Sequence, residues 1–202
     1  ATATAERFNL SSAVETMALP FESQAFEQQK KFEIDIQPEL YFQGNPEQVR
    51  RMIGILIDNA FKYSAEHGAI RVSLKEETSG RAVLEVYNTG KGIREDEKEK
   101  IFERFYRSDS SRARATGGYG LGLSIAKSVA DAHKMKIEVN SEPEHWITFT
   151  VWFPAQKKLP EKISDAVTCD LRFRACWMRR CSTIRIAEIS NFHLWKRKKK
   201  DF

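Results

Sequence analysis

Lys31 to Ile36 alternates Phe32, Ile34 and Ile36 with Lys31, Glu33 and Asp35, the two-residue period of a strand with one buried face. Upstream, residues 13–30 carry Val14, Met17 and Phe21 on one helical stripe, which Pro20 should bend or interrupt. A short strand is predicted near Tyr41. The string Leu40-Tyr41-Phe42-Gln43-Gly44 looks like a protease tag site, but the pattern runs on through it and we read it as native. Asn45 is then an N-cap with Pro46 at the first helical position. Val49, Met52, Ile53, Leu56 and Ala60 form the core stripe of a helix ending near Tyr63. Ile70, Val72 and Leu74, then Ala82, Leu84 and Val86, predict two strands joined by a turn at Ser79-Gly80. Residues 95–105 read as a short helical stretch. Residues 106–119, rich in Ser, Arg and Gly, read as a mobile loop. A helix from Leu121 to His133 and strands at Lys136 to Asn140 and Trp146 to Phe153 complete the pattern.

The predicted order is helix, two strands, three times over. Adjacent, hairpin-like strand pairs separated by helices favour an α/β two-layer sandwich. In it, helices cover one face of a mixed, mostly antiparallel sheet.

Composition adds a seam. The 202 residues, 41% hydrophobic and 30% charged, suit one soluble domain plus an appendage. Residues 157–202 hold 13 Lys and Arg against 5 Asp and Glu, while residues 1–156 hold 20 against 23. The basic balance therefore belongs to the tail, and no nucleic-acid binding is expected of the main domain. Cys169, Cys176 and Cys181 also lie in the tail; an odd count gives no disulfide framework, and a reducing cytoplasm is the simplest setting. Their irregular spacing with His193 makes a poor zinc site, and Lys196 to Lys200 reads as a solvated charge run. We expect domains at 1–156 and 157–202, the second a non-native or out-of-frame extension. No secretory signal is visible. The longest apolar run, Met52 to Ile57, is far short of the roughly 20 residues a membrane span needs. The chain opens at Ala1 without Met and reads as a fragment of a longer protein.

Three polar segments interrupt the core pattern. In Asp58-Asn59-Ala60-Phe61-Lys62-Tyr63, helical geometry puts Asn59, Lys62 and Tyr63 on one flank beside the buried stripe. An amide oxygen suits a hard cation, and a lysine one turn away suits a phosphate. In Val86-Tyr87-Asn88-Thr89-Gly90-Lys91-Gly92-Ile93, the inward alternation continues to Asn88, a polar side chain needing a partner that a ligand can supply. Gly90 and Gly92 permit close approach of backbone to ligand. Gly117-Gly118-Tyr119-Gly120-Leu121-Gly122 runs into a helix whose free N–H groups make an anion site. It is neither a P-loop nor a dinucleotide fingerprint, since no Gly-Lys-Ser/Thr follows and no strand precedes it. Taken singly, these segments also suit a solvated helix end, a plain turn and a flexible linker.

Together, and in that order with Ile101-Phe102-Glu103-Arg104-Phe105-Tyr106-Arg107 between the second and third, they closely resemble the catalytic, ATP-binding domain of the sensor histidine kinases of two-component systems. The resemblance covers roughly residues 8–154. It implies the Bergerat ATP-binding sandwich shared with DNA gyrase, MutL and a heat-shock chaperone. It implies that Asn59 ligates Mg²⁺, that Asp58 orients or activates the attacking group, and that Lys62 and Arg107 contact phosphates. Tyr63 would lie against the nucleotide, Asn88 would read adenine, and Gly90, Gly92 and Ile93 would shape its pocket. Phe102 and Phe105 would anchor an ATP lid at 106–119, closed over the phosphates by Gly118, Gly120, Leu121 and Gly122. The implied reaction moves the ATP γ-phosphate to a histidine on a dimerisation domain, and a response regulator then receives it. Homodimerisation would run only through dimerisation helices missing here, and the domain would be cytoplasmic, in a parent that could be anchored in the inner or cell membrane.

Four features depart from the family pattern. Asn88 stands where an aspartate is usual, which should weaken adenine binding, and Ile55 stands where many relatives carry a second asparagine. Trp146-Ile147 replaces a common Gly-Thr. No phosphoacceptor histidine is present: His67, His133, His145 and His193 read as surface or capping residues. The competing readings are a nucleotide-binding regulatory module without kinase output and an anti-sigma-type serine kinase of the same superfamily.

Overall fold

The computed structural model describes residues 5–106 and 119–155, all within the unit Ala1–Gln156. Strand β1, Glu6–Asn9, leads straight into helix α1, Leu10–Ala18. Asn9 caps that helix by accepting from the Ser12 N–H at 2.9 Å. The chain turns at Leu19 and Pro20 and resumes as α2, Phe21–Glu27. The helix expected at 13–30 is thus two short helices, because proline cannot supply the N–H a continuing helix needs.

Strands β2, Lys31–Ile36, and β3, Tyr41–Gly44, follow. They do not form the expected hairpin. β3 pairs antiparallel with β1, Phe8 opposite Phe42, in a separate two-stranded sheet. The string Leu40 to Gly44 is integral to the core: Phe42 is buried and its ring lies edge-on to Phe153 at 5.1 Å.

Helix α3, Pro46–Tyr63, begins where Asn45 accepts from the N–H groups of Glu47 and Gln48 at 3.0 and 3.1 Å. Val49, Met52, Ile53, Leu56, Ile57 and Ala60 are fully buried, as the stripe requires. The backbone N–H of Asn45 donates to His133 Nε2 at 3.0 Å, and His133 Nδ1 meets the Val129 carbonyl at 2.9 Å. His133 is thus a capping residue, as read from the sequence, and it joins the end of the helix Gly122–Ala132 to the start of α3.

Strands β4, Ala69–Glu76, and β5, Ala82–Thr89, form the expected hairpin. The short helical stretch expected over 95–105 is two 3-10 turns, Glu95–Glu97 and Lys100–Phe102. Helix α4, Gly122–Ala132, precedes β6, Lys136–Glu142, and β7, Trp146–Trp152. The main sheet has the order β2-β4-β5-β7-β6. Only β2 and β4 run parallel; the other neighbours are antiparallel.

One sheet face carries Ile70, Val72, Leu74, Leu84, Val86, Ile147, Phe149 and Val151, all buried under α1, α3 and α4. The opposite face carries ion pairs such as Lys75–Asp35 and Arg71–Glu33, and an Arg71 guanidinium over the Tyr87 ring. That division is the two-layer sandwich the pattern predicts. Among the described residues no helix is long and apolar enough to cross a membrane.

Candidate nucleotide site

Three glycines bring the separate polar segments together. Gly90, just past β5, lies against the end of α3: a Cβ there would sit 2.4 Å from the Tyr63 carbonyl oxygen. Gly92 adopts φ +69°, and a Cβ there would meet the Glu142 carbonyl oxygen at 2.5 Å and Pro143 Cα at 2.7 Å. At Gly122, the start of α4, a Cβ would lie 3.4 Å from Ile55 Cγ2 and 3.7 Å from Asn59 Nδ2. The α3 flank, the β5 end and the α4 N-terminus therefore border one region. A larger residue at Gly90 would push the end of α3 from β5, and one at Gly92 would push its loop from the β6–β7 turn.

Asn88 is 1% exposed on the inner face of β5. Its Nδ2 donates to the Thr89 carbonyl at 3.2 Å. Its Oδ1 is the one buried side-chain polar atom without a hydrogen-bond partner among the described residues. An orphaned buried acceptor costs about 1–3 kcal/mol, so this oxygen fits a ligand that brings a donor, as the exocyclic amine of adenine does. Nearby, the Ile93 N–H donates to Ser141 Oγ at 2.8 Å, and Ser141 donates to the Trp146 carbonyl at 2.9 Å. These bonds fix the loop after Gly92 to the β6–β7 hairpin. No sequence signal singles out Ser141 for that task.

Asn59 is half-buried, and its Nδ2 donates to the Ile55 carbonyl at 2.7 Å. With the amide nitrogen held, Oδ1 is left as an acceptor for a cation. Among the described residues no cluster of three His, Cys, Asp or Glu could cage a metal. That donor set suits Mg²⁺, which commonly takes one or two protein ligands and completes its shell with phosphates and water. Lys62 and Tyr63 are half-buried on the same flank, with Lys62 Nζ 5.9 Å from the Tyr63 ring centroid. Lys62 pairs with no carboxylate among the described residues. Asp58 sits on the exposed face of α3 and makes no described hydrogen bond or ion pair.

Gly120 has φ +68°, and a Cβ on it would lie 2.7 Å from the Tyr106 carbonyl oxygen. Its own carbonyl accepts from the Phe105 N–H at 3.0 Å, so the chain leaving at Tyr106 and returning at Gly120 touches itself there. Leu121 caps the N-terminus of α4 without a side-chain hydrogen bond. Phe102 packs edge-on to Phe149 at 6.4 Å, while Phe105 is exposed. Arg107 and Gly118 lie outside the described residues. A cleft of about 350 Å³ between the second 3-10 turn, α4 and β6 is lined by Phe102, Lys127 and Ile137, among others, and, Phe102 apart, by none of these nucleotide-site residues. Lys98 and Lys127 on its rim are already paired, with Glu95 and Asp131.

The family described as histidine kinase-, DNA gyrase B-, and HSP90-like ATPase matches residues 44–157. The sensor histidine kinase YkoH of Bacillus subtilis is 40% identical over 117 residues, covering 58% of this chain and 25% of that protein. The phosphate regulon sensor protein PhoR of Pseudomonas aeruginosa is 39% identical over 127 residues, 62% of this chain and 28% of its own. The chain thus spans about a quarter of the length of these curated relatives. Among solved structures, the nucleotide-free catalytic domain of histidine kinase ThkA superposes with a TM-score of 0.65 at 24% identity, covering 75% of this chain and 95% of that one. ThkA in complex with the response regulator TrrA gives a TM-score of 0.62 at 26% identity, covering 78% of this chain and 43% of that one. The chain belongs to the family of histidine kinase-, DNA gyrase B-, and HSP90-like ATPases.

Proposed function

We propose that this domain binds ATP with Mg²⁺ and, within its full-length parent, transfers the γ-phosphate to a histidine on a dimerisation domain outside this chain. The observation that carries the reading is Asn88 Oδ1, a buried acceptor lacking a donor, where β5 meets Gly90 and the end of α3. Asn88 accepts from the base, and Gly90, Gly92 and Ile93 leave it room. Tyr63 lies against the nucleotide. Lys62 and Arg107 balance phosphate charge, and the N–H groups at Gly118, Gly120, Leu121 and Gly122 receive phosphate oxygens at the α4 N-terminus. Asn59 would hold Mg²⁺, which when bound would neutralise charge on the transferring phosphoryl group. Asp58, exposed beside Asn59, orients the incoming acceptor. Phosphoryl transfer asks a protein for positioning and electrostatic stabilisation, and these residues provide both.

The acceptor domain, a homodimer formed through it and a downstream response regulator are the partners this activity requires, and the cytoplasm is where ATP meets it. Residues 157–202 lie outside the working domain in this proposal. The test is a mixture of this chain, a separately produced dimerisation domain and ATP with Mg²⁺. Acid-labile phosphate on the acceptor histidine supports the enzyme; ATP binding without any transfer supports the regulatory module, which the neutral Asn88 favours. Removing 157–202 should change neither ATP affinity nor melting temperature.

A further inference from the structure

Glu97 reads in the sequence as one of a run of solvated acids, Glu95-Asp96-Glu97. In the fold it is 7% exposed. Its Oε1 accepts from the Tyr106 hydroxyl at 3.0 Å, and its Oε2 accepts from Arg94 Nε at 3.2 Å. Arg94 follows Ile93, the last residue of the proposed base pocket. Tyr106 is the residue whose carbonyl oxygen packs against Gly120, two positions before α4 begins. One carboxylate therefore ties the loop after the base pocket to the backbone crossing beneath the helix N-terminus.

The crossing depends on tight geometry. Phe105 holds φ +65°, a conformation L residues seldom adopt, and its N–H donates to the Gly120 carbonyl at 3.0 Å. Gly120 itself holds φ +68° with no room for a Cβ. A backbone in this state needs to be fixed from its surroundings. The bond from the phenol to Glu97 is such a restraint, since a hydrogen bond to a buried carboxylate is stronger than one between neutral groups. Burial and that same bond hold the phenol pKa above its ordinary value, in keeping with a well-made contact.

We infer that Glu97 is a positioning residue for nucleotide binding: through Tyr106 it sets the Phe105–Gly120 crossing, and with it the N–H groups at Gly120 to Gly122 that face the phosphates. The inference rests on the proposed ATP site. It assigns Glu97 to the phosphate side, and the base side, read by Asn88, should be indifferent to it.

The experiment compares ATP and adenosine. ATP affinity is measured by calorimetry with Mg²⁺; adenosine affinity is measured by NMR titration of the Asn88 side-chain amide. Tyr106→Phe, which removes a single hydroxyl, and Glu97→Ala should each weaken ATP by about tenfold and leave adenosine within about twofold. Together they should cost ATP affinity little more than either alone, because both break the same contact between phenol and carboxylate. Glu97→Gln, whose Oε1 still accepts from the phenol, should restore most of the ATP affinity. Unchanged ATP binding in Tyr106→Phe, or an equal loss of ATP and adenosine in both variants, overturns the inference while leaving the site intact. Failure of the unmodified chain to bind ATP removes the site itself, and is thus told apart.

Discussion

Gly90 packs directly on the carbonyl oxygen of Tyr63, so closely that a methyl group in place of its hydrogen would lie 2.4 Å from that oxygen. The adjoining Ser64 and Gly90 form an isolated antiparallel bridge, and the Ala65 N–H donates to the Thr89 carbonyl at 2.8 Å. This seam sets the distance between Asn88 on β5 and Asn59, Lys62 and Tyr63 on α3. Gly90→Ala should therefore destabilise the domain by about 1–3 kcal/mol, the usual cost of overpacking, and weaken ATP binding as the two elements part. Urea unfolding and ATP titration of the variant test this. Full stability would show that the seam yields freely.

Asn88 should show opposite effects on stability and binding. Its Oδ1 is buried without a partner, so Asn88→Leu removes an unsatisfied acceptor and should leave the melting temperature unchanged or raised. ATP affinity should fall at least about tenfold, the worth of a hydrogen bond with an otherwise orphaned group. Asn88→Asp should act the other way, strengthening ATP by about fivefold through a charge-assisted bond while destabilising the empty domain. If Asn88→Leu lost stability and kept its affinity, this side chain would be structural.

The start of α3 offers a control remote from the nucleotide. Asn45→Ala removes a cap that receives two N–H groups, and should cost about 1 kcal/mol. Its backbone bond to His133 Nε2 survives the substitution. ATP affinity should be unchanged at temperatures where the variant is folded. Thermal unfolding beside a binding isotherm checks both halves.

Tyr106 supplies a pH test. Burial first, then the hydrogen bond to Glu97, raise its pKa above the ordinary value, with Asp96 adding to this and Arg94 opposing it. A raised pKa means that the fold favours the protonated phenol. That stabilisation is complete below about pH 10, the ordinary phenol value, and is lost as pH climbs through the higher folded value. The stability gap between the parent and Tyr106→Phe should therefore be widest near neutral pH and shrink in strong alkali. A constant gap, read from urea midpoints across that range, would count against the contact.

The parts of the fold legible in the sequence are those governed by local periodicity. The alternation along β5 places Asn88 inside beside Leu84 and Val86, and the stripe on α3 places Asn59, Lys62 and Tyr63 on its flank. Pairing partners are another matter, since they are set by contacts distant in sequence. β3 gives no local sign that it will join β1 rather than β2, and β1 is too short to announce itself. The parallel alignment of β2 on β4 requires α3 to cross between them, which periodicity does not encode. Glu97 is hidden for a different reason: a carboxylate in an acidic run is normally solvated, and the phenol and guanidinium that accept its burial stand at Tyr106 and Arg94 with no motif linking them. The only hint is its position four residues before Ile101, which packs on the core.

The most direct measurement is a calorimetric titration of residues 1–156 with ATP, run with and without Mg²⁺, on the parent and on Asn59→Ala. The account predicts saturable binding of one ATP per chain that Mg²⁺ strengthens in the parent and not in the variant, with both proteins giving the same circular-dichroism spectrum. No heat of association at millimolar ATP in the parent would contradict it.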